Sequence, residues 1–71
     1  MRFTREDVKL GKSFMRKDGR VYYLSSKSPA YTRSGNKIYL RSIRTDECWA
    51  DGIVGILQLL NNPSFGFTPV G

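Results

Sequence analysis

Apolar residues cluster on both sides of Asp18-Gly19, and each flank is made of β-formers: Phe14-Met15-Arg16-Lys17 before the pair and Arg20-Val21-Tyr22-Tyr23-Leu24 after it. Asp-Gly supplies the positive φ angles of a two-residue type I′ turn, so the pattern predicts a β-hairpin. Such a turn sets Lys17 opposite Arg20, Met15 opposite Tyr22 and Phe14 opposite Tyr23. The pleat then gathers Phe14, Arg16, Val21 and Tyr23 on one face, with Met15, Lys17, Arg20 and Tyr22 on the other. Ser25 to Ala30 reads as a loop, because turn formers fill it. Tyr31-Thr32-Arg33 and Lys37 to Arg44 flank Ser34-Gly35-Asn36, a second hairpin turn. In the later strand Ile38 and Leu40 share a face, opposite Tyr39, Arg41 and Ile43.

From Thr45 onward the period changes. Thr45 stands as a cap, Asp46 and Glu47 suit the positive end of a helix, and Trp49, Ile53, Ile56, Leu57 and Leu60 recur at helical spacing. Asn61-Asn62-Pro63 ends this helix. Gly52 and Gly55 each cost about 1 kcal/mol in a helix interior relative to Ala, unless they let the backbone lie close to the sheet. A rival reading turns the chain at Asp51-Gly52 and makes Ile53 to Leu60 a strand. At the other end, Thr4 is a helix N-cap with Asp7 near the capping-box position, and Phe3 and Val8 stand at hydrophobic-staple positions. Gly11 would close that short helix. Alternatively Val8-Lys9-Leu10 opens a strand, since its apolar residues alternate around Lys9.

The fold class these elements imply is α+β: a small antiparallel sheet of three to four strands packed against one C-terminal helix, with a short N-terminal helical turn. Parallel pairing is disfavoured because the early connections are too short for crossovers. Residues 1–63 form a single domain, and 64–71 an irregular tail whose Phe65 and Phe67 either tuck against the body or dock elsewhere.

Composition narrows the function. The 71 residues are 13% aromatic, too apolar for a disordered segment, and allow one domain. A chain of this length buries only about 60% of its unfolded surface, so its core is small and a partner can complete it. There is no His and one Cys. That removes Ser-His and Cys-His couples, a cysteine zinc site and any internal disulfide, so no catalytic residue, metal or cofactor is expected. Met1–Asp7 carries acidic residues and no apolar run, so it does not read as a signal peptide, and Ile53 to Leu60 falls well short of the roughly 20 apolar residues of a membrane span. The expected location is cytoplasmic.

Charge is segregated along the chain. All twelve Lys and Arg lie at or before Arg44, with Glu6, Asp7 and Asp18 among them, whereas residues 45–71 hold Asp46, Glu47 and Asp51 and no base. Two surfaces with different jobs are implied, one basic and one apolar to acidic.

Short motifs reduce to chance or to structure. Gly11-Lys12-Ser13 matches the tail of a P-loop, but Glu6 stands where that motif needs Gly. Ser34-Gly35-Asn36-Lys37 fits a Ser-x-x-Lys string in a turn rather than on a helix. Asn62-Pro63-Ser64 fails as a glycosylation sequon because its middle residue is Pro. Cys48 reads as a small buried apolar residue. Trp49 reads as a core anchor, with a part in partner binding as the minor alternative.

The functional signal lies in the basic and aromatic residues. Burying Phe14, Val21, Tyr23, Ile38 and Leu40 under the helix would leave Lys17, Arg20, Tyr22, Tyr39 and Arg41 on a wet face. Interleaved Tyr, Lys and Arg on an open sheet can grip single-stranded nucleic acid by stacking and phosphate contact. The same residues are favoured at protein interfaces, and the plainest reading is a solvated face with cross-strand support only.

Val8 to Phe14 resembles the opening strand of SH3-like and KOW-like barrels. In size, basic charge and single compact unit the whole chain resembles the small phage-encoded regulators that bind host RNA polymerase. That resemblance implies a viral protein acting in the host cytoplasm by protein contact on the transcription machinery, occluding promoter or sigma-factor engagement or modifying elongation. The expected function is therefore a non-enzymatic regulator docking on a nucleic-acid-handling machine, with bacterial RNA polymerase as the partner. The alternative is direct single-stranded nucleic-acid or RNA binding through Lys17, Arg20, Tyr22, Tyr39 and Arg41. Phosphate contact should weaken steeply with salt, whereas docking through Trp49, Phe65 or the helix should be nearly salt-insensitive.

Overall fold

The β-formers around Asp18-Gly19 pair as expected, in a register one residue away from the expected one. In the computed structural model, which describes residues 2–27 and 37–70, β1 (Ser13–Met15) pairs antiparallel with β2 (Val21–Ser25). Phe14 stands opposite Tyr22 and Met15 opposite Val21. Arg16 N–H donates to Arg20 O at 2.8 Å and Gly19 N–H to Arg16 O at 2.9 Å. The loop is therefore the three residues Lys17-Asp18-Gly19, with Gly19 at φ +92, as in a turn closed by a glycine bulge. One residue of slip exchanges the two faces of a strand. Tyr22 and Leu24 consequently point into the core and Tyr23 points away, the reverse of the expected arrangement.

The sheet continues through β3 (Tyr39–Ser42) and β4 (Cys48–Asp51), and β5 (Thr68–Val70) adds to the far side of β1. All pairings are antiparallel, in the order β4-β3-β2-β1-β5. The protein is thus α+β, with five strands where three to four were expected. The C-terminal stretch is not wholly irregular: Met15 pairs with Thr68 and Ser13 with Val70. Pro69 is tolerated because β5 is an edge strand.

Helix α1 (Gly52–Leu60) starts later than its acidic cap signal suggested. Thr45-Asp46-Glu47 is not a helix start but the reversal between β3 and β4, and Trp49 lies on β4. Of the two alternatives for this stretch, the helix over Ile53 to Leu60 is realised and the strand is not, although the turn that the strand reading placed at Asp51-Gly52 is present. The chain does turn at Asp51-Gly52, where Gly52 takes φ +74 and its N–H donates to Ile38 O at 3.0 Å, and the segment beyond the turn is helical. Ile56 and Leu60, four apart, bury against Phe14, Tyr22, Leu24 and Leu40, while Ile53 and Leu57 pack half-buried beside them. Each such buried side chain contributes about 1.5–3 kcal/mol. The helix ends at Asn61 as expected.

The N-terminal segment closes the core. Its helical turn is a single 3₁₀ turn (Arg5–Asp7), which ends at Val8 rather than Gly11. Asp7 Oδ2 accepts from Thr4 N–H at 2.8 Å, and the stapling pair Phe3 and Val8 are both buried. Phe3 meets Phe14 edge-to-face at 5.3 Å. Asn61 clamps the segment from the helix end, accepting from Phe3 N–H at 2.7 Å and donating from Nδ2 to Phe3 O at 3.0 Å. Among the described residues no helix is long and apolar enough to cross a membrane. The turn expected at Ser34-Gly35-Asn36 and its Tyr31-Thr32-Arg33 flank lie outside the described residues.

Candidate functional site: a groove between two hairpin ends

The β1–β2 and β3–β4 reversals emerge at the same end of the sheet, because Tyr22 at the start of β2 pairs with Ser42 at the end of β3. Ile43 N–H donates to Val21 O at 3.0 Å and ties the two ends together. Between them opens a groove of about 580 Å³, lined by Arg20, Val21, Tyr22, Ile43, Arg44 and Trp49 among others.

Trp49 is placed there by a β-bulge. The β3–β4 register shifts between Leu40, opposite Ala50, and Arg41, opposite Cys48, leaving Trp49 as the extra residue. Its ring lies edge-to-face with Tyr22 at 5.5 Å, and it stays 41% exposed. Ile43 beside the groove is 60% exposed.

The charged residues that line the groove are Asp18, Arg20, Arg44 and Glu47; Arg16 stands beside Trp49 but outside that lining. Its guanidinium lies 5.0 Å from the Phe65 ring centroid and 5.9 Å from that of Trp49. Nη1 reaches Tyr22 Oη at only 3.4 Å and Nη2 reaches Asp18 at 3.6 Å, while the buried Nε has no hydrogen-bond partner among the described residues. The Tyr22 contact first, then the charge of Asp18, raises the Arg16 pKa against the opposing effect of burial. Asp18 also faces Arg20 Nε, at 3.5 Å. Arg44 is exposed and makes no ion pair among the described residues.

Of the five residues expected on one wet face, the structure brings only Lys17 and Arg20 to the surface together, both on the first hairpin end. Tyr22 is 1% exposed because the register slip turns it inward, although it still contributes to the groove lining. Tyr39 does point away from Leu40, but it is 1% exposed, so the sheet's second face is not open there. Arg41, 7% exposed, is drawn in by Asp46, which accepts from its Nε at 3.0 Å; its Nη1 donates to Lys27 O at 3.0 Å. Tyr23 Oη and Lys27 Nζ converge on the same Asp46 carboxylate at 2.7 and 3.3 Å. Arg41 first, then Tyr23 and Lys27, hold the Asp46 carboxyl well below the usual carboxylate range.

Sequence reasoning missed Arg16, Ile43 and Arg44, and assigned Trp49 chiefly to the core. For Trp49 the usable signal was Thr45-Asp46-Glu47 read as a turn, which would have placed the tryptophan just beyond a hairpin end. Nothing local marked Arg16: apart from Asp18 in its own turn, its partners come from β2, β4 and the C-terminal stretch.

The arrangement is suited to holding apolar side chains against Trp49 and Ile43 and anions against the arginines. Comparison with known proteins finds no matching family model, no matching curated protein and no matching solved structure.

Proposed function

We propose that the protein is a non-catalytic docking module, whose hairpin-end groove binds a protein belonging to a nucleic-acid-handling machine. The observation that carries this reading is that exposed Trp49 and Ile43 line one groove with Arg20 and Arg44. Tryptophan and arginine side by side in a groove of mixed polar and apolar lining are residue types favoured at interface hot spots. The resemblance to small phage-encoded regulators makes bacterial RNA polymerase the partner to test first, and the host cytoplasm the compartment.

A stacking surface for single strands fits less well, because Tyr22 and Tyr39 are buried. What still favours it is the exposed trio Lys17, Arg20 and Arg44 near a part-exposed Trp49.

The test is capture from nuclease-treated bacterial lysate on the immobilised protein, with Trp49→Ala and Ile43→Glu alongside. Polymerase subunits are expected on the unmodified protein and not on either variant; Ile43 is exposed, so its variant tests the surface without opening the core. Capture unchanged in Ile43→Glu would move the interface elsewhere. Loss of all capture with nuclease would favour the nucleic-acid reading.

A further inference from the structure

The two edges of the sheet are not alike. β5 carries Pro69 at its centre, a residue with no N–H to offer a further strand. β4, on the other edge, reads Cys48-Trp49-Ala50-Asp51 and has neither a proline nor a base to blunt it. Its bulge falls at Trp49, and Ala50 and Asp51 beyond it keep a regular register with Leu40 and Tyr39. Gly52 N–H donates to Ile38 O at 3.0 Å, so the neighbouring Tyr39–Asp51 pair is of the non-hydrogen-bonded kind. The Asp51 N–H therefore points away from β3, off the edge of the sheet.

Beside this edge α1 leaves a second groove of about 360 Å³, lined by Trp49, Ala50, Asp51, Gly55 and Leu59 among others. A Cβ added at Gly55 would meet nothing within 4 Å, so the helix presents open space there. The hairpin-end groove sets two acids against two arginines, whereas among the described residues this lining holds one charged group, Asp51, and no cation. Asp51 is the N-cap of α1, yet its side chain makes no cap hydrogen bond and, among the described residues, no ion pair.

Building on the docking reading, which supplies a protein partner, we propose that an extended segment of that partner adds to β4 as a further strand, with a Lys or Arg opposite Asp51. A main-chain carbonyl of the segment accepts the Asp51 N–H. Side chains alternate between the faces of a strand. The residue opposite Asp51 thus lies on the same face as Asp51 and brings its cation to that carboxylate. The next residue, opposite Ala50, points to the helix side, where Ala50 packs on the core, and an apolar side chain there enters the groove beside Gly55 and Leu59. A second copy of this chain fits less well, because β4 holds no cation for Asp51 and each copy carries a net charge of +6. A nucleic acid fits less well too, since its phosphates would meet the Asp51 carboxylate.

The probe is a ten-residue peptide, acetylated and amidated, alternating Lys with Val, beside its Glu-Val analogue and oligothymidylate. Binding is read at the Asp51 amide by nuclear magnetic resonance at physiological ionic strength, and in the emission of Trp49, the only tryptophan of the chain. The Lys peptide is expected to move the Asp51 resonance and, at saturation, to slow exchange of that amide about tenfold or more. It should bind there about fivefold tighter than the Glu analogue, against the net charge of the protein. Asp51→Asn keeps a capping residue and removes the charge, so affinity for the Lys peptide should fall about two- to fivefold. Gly55→Leu fills the groove from a position where helix propensity favours the new residue, so it should abolish binding without lowering the melting temperature. A merely structural Gly55 would not give that pair of effects.

An Asp51 amide unmoved by the Lys peptide, equal affinity for the two peptides, or unchanged binding in Gly55→Leu overturns strand addition. So does an Asp51 amide already protected in a concentration-dependent dimer, which makes a second copy the occupant, or one protected most strongly by oligothymidylate. The docking reading is decided separately, because Ile43 lies outside this groove. Polymerase capture lost in Ile43→Glu while the Lys peptide leaves Asp51 untouched keeps docking at the hairpin ends and removes the β4 site alone.

Discussion

The two hairpins that wall the groove meet the same geometric demand in opposite ways. Each needs a residue with positive φ to reverse the chain. In the first, Gly19 takes φ +92, and a Cβ added there would meet nothing within 4 Å, so the turn depends on backbone freedom alone. In the second, Asp46 takes φ +61, a conformation that costs an L-residue roughly 1–2 kcal/mol, less for Asp or Asn. It is held there by Tyr23, Arg41 and Lys27, side chains from β2, β3 and the loop after β2. One hairpin is set locally; the other is set by residues up to 23 positions away. The Trp49 wall therefore depends on a polar cluster on the opposite face of the sheet.

Breaking that cluster at its most buried member should have the largest effect. Arg41→Ala removes the Asp46 pairing and the bond to Lys27 O together. Asp46 is half-buried and water recovers part of its pairing, so the expected loss is about 2 kcal/mol, read as a lower urea midpoint with unchanged slope. The second hairpin should loosen while the first keeps its register, so hydrogen exchange at Ser42 and Asp46 should rise more than at Arg16 and Gly19. Equal acceleration in both would dissolve the contrast.

The first hairpin is tested by backbone alone. Gly19→Ala should cost about 1–2 kcal/mol although nothing crowds the new methyl, and Gly19→Asn clearly less, because Asn tolerates the left-handed region. At the second hairpin, Asp46→Gly relieves the backbone yet should still destabilise, since the acceptor for three donors is gone. Thermal unfolding of the three variants gives the comparison. A stabilised Asp46→Gly would mean that backbone strain, rather than the cluster, dominates that turn.

The same contrast explains what the sequence made legible. Asp18-Gly19 announced its hairpin because the signal is local. Its register did not follow, since Val21-Tyr22-Tyr23-Leu24 is apolar at both parities and either face could have been the buried one. The helix was legible through Ile53, Ile56, Leu57 and Leu60. β4 was not: Thr45-Asp46-Glu47 imitates a helix cap, and a four-residue strand interrupted by a bulge shows no alternation. β5 was hidden by Pro69, which argues against a strand anywhere but at an edge. For the site, Lys17 and Arg20 were found because they flank the local turn. Tyr22, Tyr39 and Arg41 were misplaced because their burial depends on register and on partners distant in sequence.

The pH dependence of stability should divide along the same line, through Asp46 and Tyr23. Arg41, Tyr23 and Lys27 depress the folded-state pKa of Asp46. Its contribution is thus present above the ordinary carboxylate value of about 4 and is lost as pH falls below it toward the depressed value. Asp46→Asn should lose that contribution at neutral pH and show a flatter acid limb.

Tyr23 works at the other end of the scale, and it gives the smallest expected effect. Its hydroxyl donates to Asp46, and that bond, with burial adding to it, raises the phenol pKa. A raised folded-state value favours the protonated phenol, so its contribution is full below about pH 10 and disappears as pH rises through the folded-state value. Tyr23→Phe should cost about 1 kcal/mol at neutral pH, the worth of one hydrogen bond to a charged acceptor in a half-exposed setting. It should also flatten the alkaline limb of the melting-temperature profile while leaving the first hairpin's exchange rates unchanged. The acid limb should shrink only in part, because Arg41 and Lys27 still hold the carboxylate. If Tyr23→Phe removed the acid limb altogether, the phenol rather than Arg41 would be the principal support of Asp46, and the second hairpin would be anchored to β2 instead of β3.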